Sequence, residues 1–249
     1  PVLAQSSKTD MSEDAGQQAS DPVMDEIERY RAIDAEAYGA KDYARAAEAS
    51  ARVVELAAPL GEASFVYARA LNDHALNLMF SGRAKDAEPL MREGLRLYEA
   101  QLGKDHPEAL KASANLGAVL FNAGKADEAA SAYRSAFDRS RAALGMADAS
   151  TRDVAANLVD LLYRLARREE AIPVQEALLE AMREDPGADT ADTLLQQKTL
   201  ASLLIETGQY DAARGQLRDA LPRLEATLGK THPLTVEALA LLSVSFERT

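Results

Sequence analysis

Glycines stand 42 residues apart at Gly61, Gly103, Gly145, Gly187 and Gly229, and leucine precedes four of them, at Leu60, Leu102, Leu144 and Leu228. A chain that returns to one phrase at a fixed interval of this length is built from one supersecondary unit used several times. "LGKDHPEAL" at Leu102–Leu110 and "LGKTHPLTV" at Leu228–Val236 are two copies of a connector, 126 residues or three periods apart. The fourth mark departs from the phrase and reads "DPGADT", with Pro186 in the leucine slot. Other registers keep the same beat. Leu78, Leu120, Leu162 and Leu204 form one, continued by Phe246. Ala87, Ala129, Ala171 and Ala213 form a second, and Leu116, Leu158, Leu200 and Leu242 a third, with His74 in its first slot.

Each unit reads as two helices. In the second full unit the spacing predicts a first helix over Pro107–Asn122. Pro107 suits a first helical position, where its missing N–H costs nothing. Asp105 or His106 can cap it, Asp105 being the better residue type. Leu110, Leu116, Val119 and Leu120 recur at helical spacing, and Gly124 ends the run. A second helix over Asp127–Leu144 puts Ala129, Tyr133, Ala136 and Phe137 on one face. Ala129 and its equivalents, facing Gly117 or Ala75, allow the two helices to approach closely. Pro89 and Pro173 share a repeat position near the start of a second helix, where proline is tolerable. Pro222 lies deep in a helix and should kink it.

Composition agrees with helices. Only 5% of the chain is aromatic, there is no Trp, and the rest of the 47% hydrophobic content is mostly strong helix formers. The formal net charge of −12 disfavours nucleic acid and anionic membrane surfaces, which are bound through Lys and Arg. A neutral or basic protein partner fits better. Without cysteine, disulfides, thiol nucleophiles and Cys-ligated zinc are excluded within these residues. No apolar run approaches the ~18 residues of a membrane span. Residues 1–21 are expected to be disordered, Gln5–Ser20 being polar and poor in apolar residues. "PVLAQ" can be read as a signal-peptide remnant, since Val2 and Ala4 have the spacing a signal peptidase prefers. Periplasmic or secreted placement and cytoplasmic placement therefore stay equally open.

The unit resembles the tetratricopeptide repeat. The residues that carry the resemblance are Leu116–Gly117 in the first helix, Gly124 between helices, and Ala129–Tyr133–Ala136 in the second. "GQYDAA" at Gly208–Ala213 matches the inter-helix turn even more closely. The 42-residue period and the "LGxxHPxT" connector resemble the kinesin-light-chain-like subtype, although only two of the five connectors carry His-Pro. The resemblance implies an all-α fold, a right-handed α-solenoid of stacked antiparallel helix pairs over residues 22–249. Residues 22–60 would form a degenerate first unit, with "KDYARA" at Lys41–Ala46 one residue out of register. Four full units would cover about 61–229, and a last single helix 234–248. The third unit departs most, reading "ARREEA" at Ala166–Ala171 without the turn glycine.

First helices of this family line a concave face that binds an extended peptide or a partner helix. By register the groove positions are Arg69, Asn72, Asp73 and Phe80, then Lys111, Asn115, Phe121 and Asn122. They continue with Asp153, Asn157, Asp160, Tyr163 and Arg164, and end with Lys198, Thr199 and Glu206. Asn115 and Asn157 are favoured. Asparagine at this slot bonds a ligand's backbone or terminal carboxylate in peptide-binding members, and a side-chain amide offers both donor and acceptor. Lys111, Arg164 and Lys198 would add positive charge, which Asp73, Asp153 and Asp160 offset. His74 reads as an inter-helix residue, and His106 and His232 lie in connectors too far apart to share a metal. No catalytic constellation stands out and no cofactor is implied. The expected function is a non-catalytic interaction scaffold. The alternatives are a recognition arm of a larger bacterial enzyme of caspase-like protease or kinase type, and a peptide sensor. "LTVEALALLSVSFERT" reads as one first helix whose Leu239, Leu242 and Phe246 need a partner, a second copy or a further domain.

Overall fold

The computed structural model describes residues 21–184 and 190–248. The expected disorder of Gln5–Ser20, the "PVLAQ" start and the divergent connector at Pro186–Gly187 lie outside them. Eleven α-helices and no strand occur among the described residues. They are α1 (Pro22–Gly39), α2 (Tyr43–Ala57), α3 (Phe65–Phe80), α4 (Ala84–Leu102), α5 (Pro107–Asn122) and α6 (Ala126–Leu144). Then follow α7 (Ala149–Arg164), α8 (Arg168–Glu184), α9 (Ala191–Glu206), α10 (Tyr210–Leu228) and α11 (Pro233–Glu247). Each helix packs on the one before and the one after it. Contacts that skip a helix join first helices, α3 to α5, α5 to α7 and α9 to α11. The first helices are therefore the inner layer of a right-handed solenoid.

The period is written into the helix starts. Ser64, His106, Asp148, Thr190 and His232, 42 residues apart, are the N-caps of α3, α5, α7, α9 and α11, and each side chain accepts a backbone N–H. The cap of α5 is thus His106, not Asp105. Its Nδ1 accepts from the Glu108 N–H at 3.2 Å. The residue before a proline is held extended, and an N-cap needs that conformation; His106 has φ −70° and ψ 140°. Asp105 has the better chemistry one position too early.

Turns between paired helices are Schellman motifs. The N–H of Arg83, Lys125, Arg167 and Gln209 reaches back to the carbonyl of Leu78, Leu120, Leu162 and Leu204 at 2.7–2.9 Å. The motif requires a left-handed residue, supplied by Gly82, Gly124 and Gly208. In the third unit Ala166 takes that conformation at φ 59°, and in the first unit Lys41 does at φ 60°.

Ala87, Ala129, Ala171 and Ala213 are all fully buried where paired helices cross. Gly117 serves a different neighbour from the expected Ala129. A Cβ built there would lie 2.5 Å from Cδ2 of Tyr133, so the glycine makes room for that ring. α10 runs as one helix through Pro222. Pro222 and Arg218, whose carbonyl loses its donor, are both exposed, so water can replace the bond.

Candidate peptide-binding groove

Eight of the sixteen predicted groove positions line two cavities between first helices. The first, about 300 Å³, lies between α3 and α5 with Tyr98 of α4 beneath. It gathers Arg69, Asn72, Asp73 and Lys111 from the predicted set, and adds Phe65, Tyr98 and Glu108. The second, about 330 Å³, lies between α7 and α9 with Gln175 of α8 beneath. It gathers Asp160, Tyr163, Lys198 and Thr199, and adds Ala156, Val159, Gln196 and Ser202.

Around the first cavity the amides form a relay. Asn115 Nδ2 donates to Asn72 Oδ1 at 3.1 Å, and Asn72 Nδ2 donates to Asp73 Oδ1 at 3.1 Å. Asp73 is also paired with Arg69 at 3.4 Å. Asn72 is buried and Asn115 half-buried, so one Asn115 N–H is used between repeats. Lys111 is exposed and meets no carboxylate among the described residues. The Phe65 and Tyr98 rings meet edge to face at 5.4 Å. Burial, with the Asp73 and Glu108 carboxylates nearby, pushes the Tyr98 phenol well above its usual range, so it remains a neutral hydroxyl.

Asn157 is exposed on α7 and lines neither cavity; its amide has no partner among the described residues. Arg164 pairs with Asp160 at 2.8 Å and lies 5.8 Å from the Phe121 ring centre. Asn122 is turned back on its own helix, donating to the Ala118 carbonyl at 2.9 Å. Tyr163 donates to Glu206 at 2.8 Å, and Arg168 lies over the Tyr163 ring while pairing with Glu206. Accepting that bond leaves Glu206 holding the Tyr163 phenol above its ordinary pKa. Lys198 is paired with Glu237 of α11 at 2.8 Å. Phe80 belongs elsewhere, to an aromatic cluster with Tyr38 and Tyr43 at centroid distances of 5.2–5.7 Å.

Among the histidines, His74 bridges helices, its Nδ1 lying 3.0 Å from the Ser50 hydroxyl of α2. His106 and His232 are used as caps. No helix among the described residues is long and apolar enough to cross a membrane. Of the residues that sequence reasoning missed, Phe65 opens α3, Tyr98 and Gln175 lie on second helices, and Gln196 lies on the first helix α9. The one available signal was Gln175, a polar residue in a slot that reads Met91, Tyr133 and Leu217 in the other units.

A family model described as the tetratricopeptide repeat matches residues 66–142 and 150–226. The chain belongs to the tetratricopeptide repeat family. Solved tetratricopeptide repeat structures are similar in fold. The nearly identical TPR-like repeats of a Podosopora anserina protein of kinesin-light-chain type superpose with a TM-score of 0.62 at 18% identity, covering 72% of this chain and 85% of that one. BtubC (BKLC) from P. vanneervenii gives 0.59 at 18% identity, covering 92% of this chain and 85% of that one. A Rap protein solved in complex with Competence and Sporulation Factor gives 0.56 at 14% identity, covering 89% and 65%. Comparison with curated proteins gave no match. Tetratricopeptide repeat proteins are generally non-catalytic adaptors, and this repeat fold is consistent with an interaction scaffold.

Proposed function

We propose that this chain is a non-catalytic scaffold that holds a partner peptide along its inner face. The observation that carries the reading is the pair of cavities between successive first helices, with Lys111 and Asn157 exposed and without a bonding partner among the described residues. An extended peptide has amides and a terminal carboxylate that such groups satisfy. The Rap protein of similar fold, solved with its factor bound, supports the reading by analogy of architecture.

Phage selection of random peptides on the protein, followed by anisotropy titration, tests it. The double variant Lys111→Ala/Asn157→Ala should weaken selected peptides ~10-fold or more, at about 1 kcal/mol per lost bond. Its thermal melt should match wild type, because neither side chain supports the fold. No enrichment, or unchanged affinity, sinks the reading. Asn115 is a poorer probe, since its loss also frees Asn72. The sensor and enzyme-arm alternatives use the same groove; a change in scattering dimensions on peptide addition would favour the sensor.

A second reading rests on α11. Val236, Leu239 and Phe246 are 51%, 56% and 50% exposed. One period earlier, Leu194, Gln197 and Leu204 are at most 3% exposed. There the unit's own second helix supplies a buried alanine and, four residues on, a larger side chain, as Ala213 and Leu217 do. A second copy of the chain is proposed to cover the α11 face. Sedimentation across a concentration series should show a dimer that Leu239→Asp abolishes; a monomer throughout removes this reading.

A further inference from the structure

Gln175 stands in a core slot. The corresponding residues are Met91, Tyr133 and Leu217, and Gln175 is fully buried like a core residue. Its Nε2 donates to the Gln196 main-chain carbonyl at 2.9 Å and to Gln196 Oε1 at 2.9 Å. Two acceptors on that side fix which end of the amide is nitrogen. The Oε1 is left buried with no donor in reach. A buried acceptor without a donor is costly, and core packing alone does not ask for one, because apolar residues fill this slot in other units.

Both Gln175 and Gln196 line the α7–α9 cavity. The other polar groups there are already engaged. Thr199 donates to the Leu195 carbonyl at 2.9 Å, Tyr163 donates to Glu206 at 2.8 Å, and the Ser202 hydroxyl helps to lower the pKa of the same Glu206 carboxylate. Lys198 is paired with Glu237, and Asp160 with Arg164. Two groups remain: the Gln175 Oε1 as acceptor, and the Gln196 Nε2, which donates to nothing among the described residues. Lys198 and Asp160 also cancel in charge. One acceptor, one donor and no net charge suit a neutral amide. A carboxylate would bring no N–H to Gln175, and a cation would set its N–H groups against those of Gln196.

We propose that the α7–α9 cavity is a subsite for a neutral carboxamide, the side chain of an asparagine or glutamine on the bound peptide. Its N–H donates to Gln175 Oε1 and its carbonyl accepts from Gln196 Nε2. This rests on the groove reading above for the route by which the side chain arrives.

The test is amide-nitrogen NMR of the whole chain titrated with N-acetylglutamine methylamide, and in parallel with the glutamate and lysine analogues. The glutamine probe should shift the side-chain NH₂ resonances of Gln175 and Gln196 and saturate, while the other two should not. Gln175→Leu, carrying the residue of the next unit, should bind the glutamine probe about fivefold to tenfold more weakly. Gln175→Met, matching Met91, serves if the leucine variant does not fold. No saturation, equal response to glutamine and glutamate probes, or unchanged binding by the variant overturns the subsite. If selected peptides still bind when the probe fails, only the subsite falls. If the probe binds and no peptide is selected, the cavity stands and the groove reading falls.

Discussion

Ala166 holds a left-handed backbone that glycine holds in three other units. That conformation costs an L-residue ~1–2 kcal/mol, while a glycine loses more entropy on folding, up to about 1 kcal/mol. Ala166→Gly should therefore stabilise the chain by about 0.5 kcal/mol, seen as a raised urea midpoint with unchanged slope. Gly124→Ala, where a Cβ meets nothing within 4 Å, should cost a similar amount through the backbone alone. His74 gives a pH-dependent case. Burial and the nearby Arg83 hold its pKa below the ordinary 6.5, with a bond to the Ala47 backbone opposing. The unfolded chain then takes up a proton at a higher pH than the folded one. Stability attributable to His74 is intact above 6.5 and declines as pH falls below it. His74→Leu, matching Leu116, Leu158 and Leu200, should flatten that part of the stability–pH curve; an unchanged curve would contradict it. At this scale the sequence announced the oddities. The missing turn glycine and the misplaced histidine are visible because the period says what belongs there. The Asn115–Asn72 bond was not visible, because it depends on how far adjacent first helices stand apart.

Between paired helices, small and large residues exchange volume. Gly117 faces Tyr133, while the same two slots hold Ala75 with Met91 and Ala201 with Leu217. Gly117→Ala would force its Cβ to 2.5 Å from the Tyr133 ring and should destabilise by ~1–3 kcal/mol. Adding Tyr133→Met recreates the Ala75–Met91 pairing and should recover most of that loss in a double-mutant cycle. Equal destabilisation in single and double variants would deny the pairing. Helix positions and the buried alanines were legible, because spacing fixes both phase and burial. The cap of α5 was left open between Asp105 and His106, because residue type favoured one and position the other. The cavities were barely legible: their floors, Tyr98 and Gln175, sit on second helices in slots that read as core, and the polar Gln175 where other units carry Met91, Tyr133 and Leu217 was the one sequence signal.

Across the whole molecule, each unit is held by its neighbours. Ion pairs join successive units along the chain, Arg92 with Glu128, Arg134 with Glu170 and Lys198 with Glu237, at 2.8–3.3 Å. Stability should then be graded along the solenoid. Hydrogen exchange should be slowest in the middle helices α5 to α8 and faster in α11, one face of which is uncovered. Uniform protection from α1 to α11 would mean that the chain opens as a single unit. The periodic sequence foretold this architecture; the unequal ends depend on which faces find cover. The nearest-neighbour arrangement also has a mechanical meaning. Pulled from its two ends, such a coil first acts as a spring, because turning each helix pair slightly against the next needs no contact to break. Past that elastic range it should yield pair by pair, each step paying out one 42-residue length, on the order of 140 Å of extended chain.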